Sequence, residues 1–149
     1  MRDYYLDDFK PGDTFTSPSY TLSEEELLAF ARSYDPQPFH LDHAAGAASD
    51  FGALVAGGFQ TAALTWALAL KTGLFDRCAV AGLGVDELRW PKPVRPGDTL
   101  TCRFEVLATR KSGSRPGTGI AVSRFDLFNQ HDERVFTMRM AQLLKTRPA

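Results

Sequence analysis

The chain has 149 residues, 44% of them hydrophobic and 23% charged, and a formal net charge of -1. That is the balance of one ordinary globular domain spanning residues 1–149, long enough to bury a core without staples, and it leaves no bulk positive charge to draw the chain to nucleic acid. No window approaches the roughly 20 apolar residues of a membrane span, and the polar start Met1-Arg2-Asp3-Tyr4-Tyr5 lacks the apolar run of a secretory leader. The two cysteines, Cys78 and Cys102, have no metal-like spacing; they read as reduced thiols of a cytoplasmic protein, with one bridge between them left open.

In chain order, Lys10-Pro11-Gly12-Asp13 predicts a turn and Thr14 to Thr21 a short strand. Ser23 followed three residues later by Glu26 forms a capping-box pattern, and the acidic run Glu24 to Glu26 suits a helix N-terminus. Leu27, Leu28, Phe30 and Ala31 give that helix an apolar face, and it stops near Tyr34 before two prolines. Asp35 to His40 is expected to be irregular, and Asp42 to Ala48 a short helix. Phe59 to Lys71 is apolar or small on nearly every side, the pattern of a helix buried all round.

From residue 80 the pattern changes. Val80 to Trp90, Thr99 to Thr109, Gly119 to Phe128 and Arg134 to Leu144 read as strands, separated by turn-rich stretches. The glycine-rich run Gly113 to Gly119 has no following Lys-Ser/Thr and predicts a hairpin turn, not a phosphate loop. One early strand, then helices, then a run of strands argues for an α+β fold whose antiparallel sheet wraps the buried helix.

Three segments carry a resemblance: Tyr34-Asp35-Pro36-Gln37-Pro38-Phe39-His40-Leu41-Asp42; Phe51-Gly52-Ala53-Leu54-Val55-Ala56-Gly57-Gly58; and Leu88 to Leu100, with its Pro93-Val94 turn and Gly97-Asp98. Together they resemble the MaoC-like dehydratase family, which includes R-specific enoyl-CoA hydratases. The resemblance implies the hot-dog fold, a curved antiparallel sheet around a long buried central helix. It also implies Asp35 and His40 as a catalytic pair, an Asp and a His separated by four residues. Gln37 stands where the family usually has Asn, and Ala56 where many of its hydratases have His.

Hydration of an enoyl thioester needs water to lose a proton as it attacks the β-carbon, the α-carbon to gain one, and the thioester oxygen to carry transient negative charge. Asp35 and His40 can divide the proton work; which of them is the base is open at this stage. Gly57 and Gly58 open the apolar helix, where free N–H groups and the positive dipole end coincide, and by resemblance the Gly57 N–H is the leading oxyanion donor. Thr65, two turns on, is a candidate pocket residue and equally a hydroxyl bonded to its own helix.

Blander readings stand beside these. Asp35 before Pro36 also suits a turn, His40 a hydrogen-bonded core histidine, and Gly57-Gly58 mere close packing. His40, Asp42 and His43 are spaced poorly for one metal site. Arg89, Lys92, Arg95, Arg110, Lys111 and Arg115 could meet phosphates of coenzyme A or form a solvated face. The expectation is a hydratase without metal or bound cofactor, coenzyme A entering only as part of an enoyl-CoA or related acyl thioester. A hot-dog thioesterase and a non-catalytic acyl-CoA binder are the rival readings. A homodimer or dimer-based oligomer is also expected, because a small curled sheet leaves edges to be covered and Phe104, Phe125, Phe128 and Phe136 exceed what one short helix covers.

Overall fold

The computed structural model describes residues 2–149. After a 3₁₀ turn at Leu6–Asp8, the elements run β1 (Thr14–Thr21), α1 (Glu24–Tyr34), α2 (Pro38–Leu41), α3 (His43–Ala48), α4 (Gly58–Leu70), β2 (Ala79–Arg89), β3 (Thr99–Lys111), β4 (Thr118–Phe128) and β5 (Arg134–Lys145). Among the described residues the strands form one antiparallel sheet in the order β1-β3-β4-β5-β2. It curves around α4, which packs on β1, β3, β4 and β5. This is an α+β hot-dog fold.

Local signals account for most of these bounds. Ser23 caps α1 by accepting from the Glu26 N–H at 3.1 Å. The reciprocal half of the expected capping box is not made, because the Glu26 carboxylate accepts instead from the Tyr20 hydroxyl on β1. Asp42 caps α3 through the Ala45 N–H at 2.9 Å. Asp35 to His40 is not wholly irregular: Pro38, its φ already helical, occupies the first position of α2 and places His40 in a helical turn.

The expectation that α4 is buried all round is not met. In this chain Phe59 is 64% and Leu70 39% exposed, while the polar Gln60, Thr61 and Thr65 are buried. The helix tolerates this inversion because its hydroxyls are satisfied internally: Thr61 donates to the Gly57 carbonyl at 3.3 Å and Thr65 to Thr61 at 2.8 Å. Apolar composition on every side shows only that no side of the helix needs water.

The core is an aromatic layer between helix and sheet. Phe104 and Phe125 stack at 5.0 Å, Trp66 of α4 meets Phe125 edge-on at 5.5 Å, and Phe75 joins Phe9 to Phe104 at 5.6 Å each. Phe104, Phe125 and Phe136 are therefore buried within one chain, and Phe128 lies under the Arg103 guanidinium at 4.2 Å. The phenylalanines thus give no argument for a dimer, because Trp66, Phe75 and the N-terminal Phe9 supply the cover that α4 alone lacks.

The sheet edges supply a better argument. β1 is broken by a register shift around Pro18, which cannot donate to a further strand. β2, the other edge, carries no proline, although its pairing with β5 shifts register three times, and it leaves Leu83 51% and Val85 45% exposed. Cys78 and Cys102 are free, buried thiols. Burial pushes Cys78 up to about 11 and Cys102 up to about 12.

Two outcomes follow from this packing. Phe125→Ala is expected to cost roughly 3–5 kcal/mol, read as a fall in the urea midpoint with an unchanged slope. At pH 8 the Cys78 thiolate fraction is on the order of 10⁻³, so iodoacetamide is expected to label neither cysteine in the folded protein and both in guanidinium. Rapid labelling without denaturant would show that the thiols are reachable.

Candidate active site

α1 ends by delivering Asp35. The Asp35 N–H closes the last turn on the Ala31 carbonyl at 3.0 Å, and Pro36 prevents another turn. Five residues later the α2 turn presents His40, whose side chain is 5% exposed; that of Asp35 is 15% exposed. The segment leading into α4 is bound on both sides. The Val55 N–H donates to the Phe39 carbonyl at 3.2 Å, and the Ala56 N–H to the Val94 carbonyl at 2.8 Å.

His40 Nδ1 lies 2.6 Å from the Val55 carbonyl oxygen. A carbonyl only accepts, so Nδ1 carries the proton, and in the neutral ring Nε2 is left as an acceptor. That nitrogen faces Asp35 Oδ2 at 3.5 Å. The separation is too long for a good direct hydrogen bond, yet two acceptors so placed suit one water donating a proton towards each. The Phe39 ring packs against the imidazole, centroids 4.5 Å apart, and holds its plane.

Gly57 is needed for closeness. Its φ of -60° suits any residue, but a Cβ there would stand 2.7 Å from Asp35 Oδ2. The carboxylate thus lies against the N-terminus of α4, where the helix dipole favours an anion. A Cβ on Gly58 would collide with the Trp90 indole, whose Nε1 donates to the Gly58 carbonyl at 2.8 Å. The Gly57 and Gly58 N–H groups have no acceptor among the described residues.

All of these residues but Gly57, which lies behind the Asp35 carboxylate, line a cavity of about 450 Å³. Asp35, His40 and Gly58 line it together with Gln37, Thr61 and a largely apolar wall that includes Phe39, Phe51, Val55, Phe59, Trp90 and Val94. Thr65 does not line it. Thr61, one turn nearer the helix N-terminus, takes the position proposed for it, and only the helical spacing from Gly57 could have pointed there.

Trp90 and Phe59 escaped sequence reasoning because an exposed aromatic is common on surfaces. Of the basic residues considered for phosphates, Lys92 lines the cavity and pairs with Glu133. Lys111 lies 3.8 Å from Asp7, at the β3–β4 hairpin. His40, Asp42 and His43 point to different partners, Val55, Ala45 and Glu24. Among the described residues no three His, Cys, Asp or Glu side chains form a metal-binding group.

Comparison with known proteins bears on the fold and the family. Residues 8–122 match the family model of the MaoC like domain. An uncharacterized protein of Bacillus subtilis, YdeM, is 31% identical over 140 residues, covering 94% of this chain and 98% of its own. The crystal structure of a MaoC-like dehydratase from Rhodospirillum rubrum superimposes with a TM-score of 0.90 at 38% identity, over 97% of this chain and 99% of that one. The unliganded R-hydratase PhaJ1 of Pseudomonas aeruginosa superimposes with a TM-score of 0.73 at 27% identity, over 98% and 88% of the two chains. With the family match covering most of the chain, the protein belongs to the MaoC-like family.

Proposed function

We propose that the protein reversibly adds water across the double bond of an enoyl thioester, an enoyl-CoA or a related acyl thioester, with Asp35 and His40 activating the water. The observation that carries this reading is the facing pair, His40 Nε2 and Asp35 Oδ2, two acceptors 3.5 Å apart in a largely apolar cavity. R-hydratases such as PhaJ1 among the structural neighbours lend it support.

A water held between these acceptors attacks the β-carbon. Its oxygen forms the new C–O bond as one O–H bond breaks, and that proton passes to the pair. The π electrons move towards the thioester, whose oxygen takes negative charge at the free N–H groups of Gly57 or Gly58. Collapse of this enolate collects the proton at the α-carbon, so each turnover returns the pair to its starting state. The step needs no metal and no redox partner. A carboxylate beside apolar acyl carbons is costly for a mere binder.

Crotonyl-CoA absorbance is the test. Loss of the enone band without free thiol is expected; release of thiol would mean a thioesterase, and no change would leave a binder. Asp35→Asn and His40→Ala are each expected to lower hydration by about 10²–10⁴-fold with little change in Tm. Gly57→Ala is expected to keep the fold and lose activity, since its backbone conformation suits alanine while its methyl group displaces the carboxylate. Near-wild-type turnover in either Asp35→Asn or His40→Ala removes the pair from the mechanism.

The working unit on this reading is a homodimer, or an oligomer built from dimers. Its support is the proline-free β2 edge with Leu83 and Val85 exposed, and the exposed Phe59 on α4. Light scattering at low micromolar concentration is expected to give at least twice the 16.4 kDa chain mass, and Val85→Arg to lower it. A stable, fully active monomer would sink the dimer.

A further inference from the structure

The two oxygens of the Asp35 carboxylate have different surroundings. Oδ2 faces His40 and the Gly57 backbone. Oδ1 accepts a hydrogen bond from Gln37 Nε2 at 2.7 Å. The torsion that sets a carboxylate plane is broad and nearly two-fold, so the partners of the two oxygens decide which way the group turns. An ionised carboxylate can only accept, which fixes the Gln37 amide with its NH₂ inward.

The main chain of Gln37 is tied to both members of the pair. Its N–H donates to the Asp35 carbonyl at 2.8 Å, and its carbonyl accepts from the His40 N–H at 2.9 Å. One residue therefore spans Asp35 and His40 by backbone bonds and holds the outer carboxylate oxygen by its side chain. Gln37 is exposed, so packing does not explain its choice; it also lines the cavity.

We propose that Gln37 is a positioning residue: its amide pins Asp35 Oδ1, so that Oδ2 stays turned towards His40 and the reacting water. The choice of a neutral donor matters. Lysine or arginine at this point would hold the carboxylate equally well but would draw off its negative charge and weaken it as a proton acceptor. The amide orients Asp35 without setting a positive charge beside it. This inference rests on the hydration reading for its kinetic consequences, but not for its geometry.

The test compares Gln37→Met, Gln37→Asn and Gln37→Glu with the wild type on crotonyl-CoA, and solves the crystal structure of Gln37→Met. Methionine keeps the length and removes the donor. Its kcat is expected to fall about 10- to 100-fold, with KM within about twofold and Tm unchanged. Asparagine, which keeps an amide, is expected to recover part of the loss. Glutamate sets a second carboxylate against Asp35, and the two must share protons, so the acid limb of the kcat–pH profile is expected to move to higher pH. Wild-type kcat in Gln37→Met, or an unmoved acid limb in Gln37→Glu, overturns the inference while leaving hydration standing. If the wild type hydrates no enoyl thioester, the hydration reading falls, and the crystal structure alone decides the inference. A rotated Asp35 carboxylate in Gln37→Met supports positioning, and an unchanged one overturns it.

Discussion

Two hydrogen bonds hold this site together: His40 Nδ1 to the Val55 carbonyl, and the Val55 N–H back to the Phe39 carbonyl. They join the turn that follows α1 to the segment that opens α4, 15 residues apart in sequence. The first link also determines protonation, because it commits the Nδ1 proton and leaves Nε2 as an acceptor. Without the link the imidazole could present either nitrogen, and the Asp35 carboxylate would have no fixed partner across the gap. The Ala56 N–H to Val94 bond extends the same tie to the loop that carries Trp90 and Pro93.

Backbone at close quarters does the rest. Gly57 admits the Asp35 carboxylate to the helix terminus, and Gly58 admits the Trp90 ring. One glycine thus serves the charged part of the site and the other its wall. Phe39, Phe51, Phe59 and Trp90 give the cavity apolar walls, and the pair itself is shielded from solvent screening, with the His40 and Asp35 side chains 5% and 15% exposed. In the proposed reaction this matters twice: it strengthens donation from the helix terminus to the thioester oxygen, and it keeps the water between Asp35 and His40 from being one of many.

The distribution of apolar surface links fold to assembly. α4 buries threonines and a glutamine and leaves Phe59 and Leu70 outside, while β2 leaves Leu83 and Val85 uncovered at an edge of the sheet. The aromatic core, by contrast, is complete within one chain. Pressure for a second copy, as proposed, comes from these uncovered edges and not from an unfinished interior.

Much of this was legible in the sequence. The strand patterns fall within one or two residues of β1 to β5, since alternation and turn chemistry are local properties. Ser23, Asp42 and the prolines mark helix bounds for the same reason. The Asp35–His40 spacing and the paired glycines were visible as candidates. The sequence determined, by itself, the elements, their order and the family resemblance. Only the tertiary structure decided that Thr61 and not Thr65 reaches the cavity, that Phe75 and Phe9 complete the core, that Trp90 requires a glycine at 58, and that Gln37 bonds Asp35. Each of these depends on which side of an element faces another, or on how near two backbones come. Such distances arise from packing between segments far apart in the chain, and no local pattern of residue types encodes them.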